Sequence, residues 1–229
     1  MTAKTQKTKT ETEDTATQAE NDFQADTEWQ EQFLLRTRLR QARIPARFRN
    51  KTFDTFKIER SKQRKAVLQA AKAYVDSFNF KKGVPMGLFM NGSVGCGKTH
   101  IAVAILQDII AKGYTGLYYN MVDLLADIRA TYSDHSELSE GELLREITEP
   151  DLIVLDDLGA ERTSGWVNER LYLIINRRYE SGKPILVTTN LGYDELADKL
   201  GRRTVSRLCE ICETSPEFPD EDYRRKHMR

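Results

Sequence analysis

The sequence predicts an α/β fold, a parallel sheet with helices packed on both faces. Three observations lead there. Short apolar runs alternate along the chain with longer segments of helical period. Four of these runs are apolar on successive residues, as strands covered on both faces require. A glycine-rich turn joins the first run to the apolar helix that follows it. The chain has 229 residues, 39% hydrophobic and 31% charged, enough for one core of ordinary size with an appendage.

Taken in order, residues 1–26 are rich in Thr, Gln, Glu, Asp and Ala, with Phe23 as their single aromatic. They cannot bury enough apolar surface to offset the entropy of ordering, and a disordered tail is predicted. Residues 27–45 are a short helical extension: Trp29, Phe33, Leu34 and Leu39 fall near helical spacing, and Pro45 closes it. Residues 46–229 form the main domain. Residues 62–78 place Val67, Ala70, Ala71, Tyr74 and Val75 on one helical stripe. Strands are predicted at Gly87–Asn91, Gly116–Asn120, 151–156 and 184–189, with helices at 99–111, 121–132 and 167–180 between them. The remainder reads as helical to about Glu213. In that last segment the spacing of Cys209 and Cys212 suits two core thiols on one helix face. No second pair completes a zinc site.

Composition excludes several classes. Mean hydropathy is −0.58, and no apolar run approaches the 18 or so residues that span a bilayer. The first residues lack the apolar stretch of a secretory signal, and three cysteines fit a reducing compartment. The expected address is the cytoplasm. The net charge of zero hides an asymmetry: residues 1–30 carry three lysines against seven acids, and residues 31–70 carry twelve basic residues against three acids. A basic block between 36 and 65 is either a nucleic-acid footprint or a solvated arginine-rich surface.

The strongest chemical signal is the run Gly92, Ser93, Val94, Gly95, Cys96, Gly97, Lys98, Thr99. This is the complete G-x-x-x-x-G-K-[ST] pattern between a strand and a helix. Glycines let backbone N–H groups curl around a β-phosphate at a helix N-terminus. Lys98 reaches the β- and γ-phosphates, and the Thr99 hydroxyl is a Mg²⁺ ligand. Cys96 and His100 read as incidental occupants of the loop and the first helical turn. The strand at 151–156 ends in Asp156 and Asp157, which suits one carboxylate for the hydrated Mg²⁺ and one to polarise a water. A later strand ends Thr188, Thr189, Asn190, where a polar tip can orient that water and sense the γ-phosphate. ATP and Mg²⁺ are therefore the predicted ligands.

These residues, in this order, resemble the AAA+ ATPases of the DnaC/DnaI helicase-loader group and the related IstB transposition helpers. The resemblance runs from about Ile44 to Arg225. It includes the segment from Ile44 to Phe56, Gly92 to His100, Leu155 to Gly159, Thr188 to Leu191, and Gly201 to Leu208. It implies an AAA+ P-loop NTPase fold with nucleotide contacts over Gly92–His100. It also implies that Asn190 is a sensor, Arg207 an arginine finger acting on a neighbouring subunit, and Arg224 a second sensor. A homo-oligomer with ATP-bridged interfaces follows from the finger. Loaders of this group bind single-stranded DNA through the helix after the second strand, where Arg129 suits a phosphate and Tyr132 a stacked base. The bland alternative puts Tyr132 in the core and Arg129 in solvent. The implied partner is a replicative hexameric helicase, and the Trp29, Phe33, Leu34 face either docks it or packs on its own domain.

Two departures from the group's pattern matter. Asp157 stands where most AAA+ enzymes carry Glu, which predicts slow hydrolysis. The N-terminal region has no cysteines, so a zinc-binding docking domain is not expected. The expected function is an ATPase that delivers a helicase to single-stranded DNA. Its rivals are a transposition helper on duplex DNA and an adaptor that binds ATP without hydrolysing it.

Overall fold

A computed structural model describes residues 27–80, 86–133 and 135–226. The predicted tail at 1–26 lies outside them. Contacts divide the chain into two units, Met1–Arg38 and Leu39–Arg229. Helix α1 covers residues 27–41, so it ends before Pro45. Within the first unit Trp29 stacks on Phe33 at 5.5 Å between ring centroids, one turn apart, and both rings are exposed together with Leu34.

The second unit is built on five parallel strands, β1 (Gly87–Asn91), β2 (Gly116–Asn120), β3 (Leu152–Asp156), β4 (Ile185–Thr189) and β5 (Cys212–Thr214), in the order β2-β3-β4-β1-β5. Parallel strands need crossovers. These are α3 (Lys98–Ala111), α4 (Met121–Ala130) with α5 (Glu140–Thr148), α6 (Gly165–Glu180), and α7 (Tyr193–Leu200) with α8 (Arg202–Ile211). Helix α2 (Lys62–Ser77) precedes the sheet, and a short α9 (Tyr223–Lys226) follows it. Every residue of β3 and β4 is buried, the signature of a sheet covered on both faces. Successive side chains point to opposite faces. Phe89, Leu117, Tyr119, Ile153, Leu155 and Val187 meet α4, α5, α6, α7 and α8 in one core cluster. Helix α3 packs against β2, β3 and β4, with α2 beside it. Each fully buried Ile or Leu of α3 contributes roughly 1.5–3 kcal/mol, and Ile101, Ile105, Leu106, Ile109 and Ile110 are all nearly inaccessible.

The order of the sheet positions the chemistry. Strand β4 lies between β1, which feeds the glycine loop, and β3, which ends in Asp156. Its tip therefore stands between the two halves of the predicted phosphate site.

Beyond β4 the chain is helical to Ile211, close to the predicted limit at Glu213, but as two helices and with a strand after them that the prediction lacked. Gly201, at φ 91° and ψ 140°, separates α7 from α8, and the chain then extends as β5 beside β1. Helical period cannot see this, because the pairing is made by Gly87: a Cβ there would meet the Ile185 carbonyl at 2.1 Å and the Cys212 sulfur at 2.9 Å. The two thiols accordingly part company. Cys212 is buried in β5, whereas Cys209 is exposed on α8, so only one of them is a core thiol. Burial pushes the Cys212 thiol well above its ordinary range. Helix α4 also stops at Ala130, so Tyr132 stands in the turn beyond it.

Candidate functional site

The loop from Gly92 to Gly97 leaves β1 and enters α3. Gly95 and Gly97 take φ of 79° and 112°, in the left-handed region open to glycine at little cost. Gly97 is the N-cap of α3, so the helix begins with Lys98 and Thr99. That places orphan N–H groups and the positive end of the helix at the loop, an anion cradle by construction. Space is limiting as well: a Cβ on Gly97 would lie 2.9 Å from the Phe56 ring, and one on Gly95 would strike the Asp222 carboxylate.

Lys98 is buried. Its ammonium donates to the carbonyls of Gly92 at 2.7 Å and Ser93 at 2.8 Å, and to Asn190 Oδ1 at 2.8 Å. The tip of β4 is thus bonded directly to the loop lysine. Thr99 Oγ1 donates to Asp156 Oδ1 at 2.8 Å, joining α3 to the end of β3. Asp156 is nearly inaccessible and accepts two more hydroxyls, Thr188 at 2.6 Å on the same oxygen and Tyr118 at 2.6 Å on the other. The Tyr118 phenol is pushed well above its usual range, by burial first and by the adjacent Asp156 charge second. Asp157 follows with φ 59°, its N–H donating to Thr188 Oγ1 at 2.9 Å. Thr188 therefore clamps both acids at once.

Around these groups runs a cleft of about 430 Å³, lined by Val94, Gly95, Gly97, Lys98, Thr99 and His100 on one side. Phe48, Phe56, Arg64 and Tyr223 line it elsewhere, and Asp157 and Asn190 complete it. His100 is not incidental. Its Nε2 lies 2.8 Å from the Thr52 carbonyl and 3.3 Å from Thr55 Oγ1, and its ring meets Phe56 edge-on at 5.2 Å. It fastens the segment before α2 to the first turn of α3. The donor set suits a nucleotide with Mg²⁺: N–H groups and a lysine for phosphate, and a hydroxyl–carboxylate pair for a hard cation.

A family model described as "IstB-like ATP binding protein" matches residues 1–228. The chain belongs to that family. Among the curated relatives of this IstB-like chain is the replicative helicase loader DnaC of Buchnera aphidicola subsp. Acyrthosiphon pisum (strain APS). It is 32% identical over 161 residues, 70% of this chain and 64% of that protein. DnaC of Escherichia coli (strain K12) is 29% identical over 159 residues, 69% of this chain and 63% of the other. The match thus spans just under two thirds of these relatives' length. Among solved structures, the DnaC helicase loader superposes with a TM-score of 0.68 at 30% identity, covering 76% of this chain and all of that one. DnaI, with a TM-score of 0.65 at 21% identity, and AMPPCP-bound DnaA, 0.62 at 21%, share the fold. The IstB-like chain has the AAA+ P-loop architecture that the resemblance implied.

Arg207, Arg129 and Tyr132, also singled out from the sequence, are not among the residues that line the cleft. Arg207, on α8, is partly buried. Its Nε donates to Asn176 Oδ1 at 2.5 Å, and its guanidinium lies 4.9 Å from the Tyr172 ring centroid and 5.5 Å from that of Tyr179. Arg224 belongs to α9, beside the cleft residue Tyr223. Arg129 and Tyr132 come together around Trp166, which the sequence reading missed. Arg129 stacks over the indole at 4.7 Å, and Tyr132 meets it edge-on at 6.2 Å. The Tyr132 hydroxyl accepts from Trp166 Nε1 and Arg170 and donates to Glu140 at 2.9 Å. Tyr132 is 51% exposed, so it does not close the core, and Arg129 is not merely solvated.

Several basic residues of the 36–65 block have internal duties. Arg43 bridges to Asp127 at 2.9 Å and Glu146 at 3.3 Å and donates to the Tyr119 hydroxyl. Arg49 donates to the Ile44 carbonyl, and Arg64 is buried. The block is therefore in part structural. Among the described residues no group of three or more His, Cys, Asp or Glu is placed to hold a metal, and no helix is long and apolar enough to cross a membrane.

Proposed function

We propose that this chain binds and slowly hydrolyses ATP with Mg²⁺, assembles through its nucleotide, and delivers a replicative hexameric helicase to single-stranded DNA in the cytoplasm. The observation that carries the reading is the linked set Lys98–Asn190 and Thr99–Asp156–Thr188–Asp157, which supports one site able to hold a triphosphate and respond to its hydrolysis. The likeness to helicase loaders named DnaC supports the rest.

In this reading the loop N–H groups and Lys98 bind the β- and γ-phosphates, and Thr99 and Asp156 hold Mg²⁺. The metal would neutralise charge on the phosphate oxygens. Asp157 orients and polarises the attacking water. Its carboxylate stands one methylene short of a glutamate's reach, which supports slow turnover. Asn190 shares the Lys98 ammonium, so a γ-phosphate that engages Lys98 alters Asn190 and the β4 tip with it. Arg207 acts on the nucleotide of a neighbouring subunit and Arg224 closes over its own. The Arg129, Tyr132, Trp166 surface binds a DNA strand, and the exposed Trp29, Phe33, Leu34 face docks the helicase.

The test is fluorescence anisotropy of labelled single-stranded and duplex oligonucleotides, with and without ATP·Mg²⁺, at one salt concentration. The expected result is ATP-dependent preference for single strands, lost in Lys98→Ala. Preference for duplex would replace this reading with a transposition helper. Wild-type turnover no higher than background, and the same in Asp157→Ala, would make the chain a non-hydrolysing adaptor. Turnover that stays unchanged in Arg207→Ala, at concentrations where the wild type assembles, would remove the finger.

A further inference from the structure

The cleft holds one group that none of these roles uses. Arg64 stands in the first turn of α2, where Ser61 caps the helix by accepting the Arg64 N–H. It is in phase with Val67, Ala71 and Val75 on the buried face, and only 2% of it is exposed. Its guanidinium is held between two rings, 4.7 Å from the Tyr223 centroid and 5.7 Å from that of Phe56. Nη1 makes one long bond, 3.4 Å, to the Lys57 carbonyl. Nε and Nη2 are buried without a hydrogen-bond partner.

A charged group hidden from water with two of its three nitrogens left without an acceptor is a costly arrangement for a fold to keep. Ring stacking offsets part of that cost but satisfies no N–H. Arg64 lines the same cleft as Lys98 and Thr99. Its ring neighbours flank the glycine loop from outside, Phe56 beside Gly97 and Tyr223 donating its N–H to the Gly95 carbonyl at 3.1 Å, while the loop's own N–H groups and Lys98 serve the phosphates. We infer that Arg64 is a recognition residue for the nucleoside half of the nucleotide, its Nε and Nη2 donating to ring nitrogens of the base or oxygens of the ribose. The inference rests on the nucleotide reading of this cleft and adds to it the residue that reads the end remote from hydrolysis.

The test compares wild type with Arg64→Met, which keeps an unbranched apolar stem on the buried face but has no donors. Calorimetric Kd values are measured for ATP, ADP and tripolyphosphate, together with the thermal midpoint of the nucleotide-free protein. The expected result is weakening of ATP and ADP by the same factor, about tenfold or more, with tripolyphosphate unchanged. The nucleotide-free midpoint stays level or rises, because an unsatisfied buried charge has been removed. A structural arginine would behave in the opposite way, with a lower midpoint and unchanged Kd values, and that would overturn the inference. Equal weakening of tripolyphosphate would also overturn it, by assigning Arg64 to the phosphates. Should Arg64→Met not fold, Arg64→Lys carries the same comparison, since it keeps the charge and loses the forked donors. A wild type that binds ATP no better than buffer would remove the nucleotide reading itself, an outcome distinct from wild-type binding that Arg64→Met leaves untouched.

Discussion

Lys98 and Asn190, ninety-two positions apart in sequence, are joined by a 2.8 Å hydrogen bond from the ammonium to the side-chain carbonyl. The bond ties the glycine loop to the tip of the strand inserted between the two phosphate motifs. A group that competes for Lys98 therefore reports directly to β4. Asn190→Ala is expected to leave ADP affinity within about twofold and to lower ATP turnover by at least about tenfold, since one charge-assisted contact is worth roughly 1.5–3 kcal/mol. Lys98→Ala should weaken both nucleotides, ATP more than ADP. Calorimetry and phosphate-release assays decide it, and an Asn190→Ala variant whose turnover equals the wild type's would refute the coupling.

The Tyr132–Trp166 surface gives a second prediction. Base stacking on an aromatic ring contributes about 1–3 kcal/mol, so Trp166→Ala and Tyr132→Ala should each weaken single-stranded DNA by roughly 5- to 150-fold. Duplex affinity should change much less. Salt dependence should fall in Arg129→Ala but not in the ring variants, because of the three side chains only the arginine carries a charge that would neutralise a phosphate. Unchanged anisotropy titrations for all three variants would remove this surface from the DNA path.

Arg178 is a structural counterpart to these residues. It is completely buried and donates to four carbonyls, those of Thr148, Pro150, Asp151 and Pro184, so it laces the end of α5 to the starts of β3 and β4. Burial pulls its guanidinium well below the usual arginine range, to about 9. Arg178→Met strands those carbonyls and should cost at least about 3 kcal/mol, a fall of roughly 6–12 °C in Tm for a chain of this size. A thermal melt that moves by less than about 2 °C would show that the carbonyls find other donors.

His100 sets a pH dependence. Burial lowers its pKa below the usual 6.5; the nearby Lys51 and Arg64 charges act the same way, and the bond to the Thr52 carbonyl opposes them. The folded ring stays neutral where the unfolded chain takes up a proton, so the unfolded state binds more protons below pH 6.5. Stability should therefore fall as pH drops from 6.5 towards the folded value and level off beneath it. Above that window His100 contributes no slope. Urea denaturation of wild type and His100→Gln between pH 5 and 7.5 isolates the effect, and parallel stability curves would exclude it.

Much of this molecule is written locally. The pattern from Gly92 to Thr99 demands left-handed glycines and a helix start wherever it is placed, and the unbroken apolar runs of β3 and β4 demand cover on both faces. Helix α5 was legible too: Ser139 and Glu142 form a reciprocal capping box, a signal at fixed spacing that the period-based reading passed over. Arg64 also left a trace, as an arginine in phase with the buried stripe of α2.

What the sequence by itself determined, then, is β1 to β4, the helices between them except α5, and the chemical type of the phosphate site, because propensity, period and motif spacing act within a few residues. Tertiary structure alone decided which distant groups meet. Three hydroxyls from α3, β4 and β2 converge on Asp156. Asn190 reaches Lys98 only because β4 inserts between β1 and β3. Cys212 leaves a helical pattern to pair beside Gly87. Trp166 meets Tyr132 across an intervening helix and strand. Each of these depends on strand order, and strand order is set by how the two faces of the sheet are buried, a free energy summed over the whole core that no local window contains.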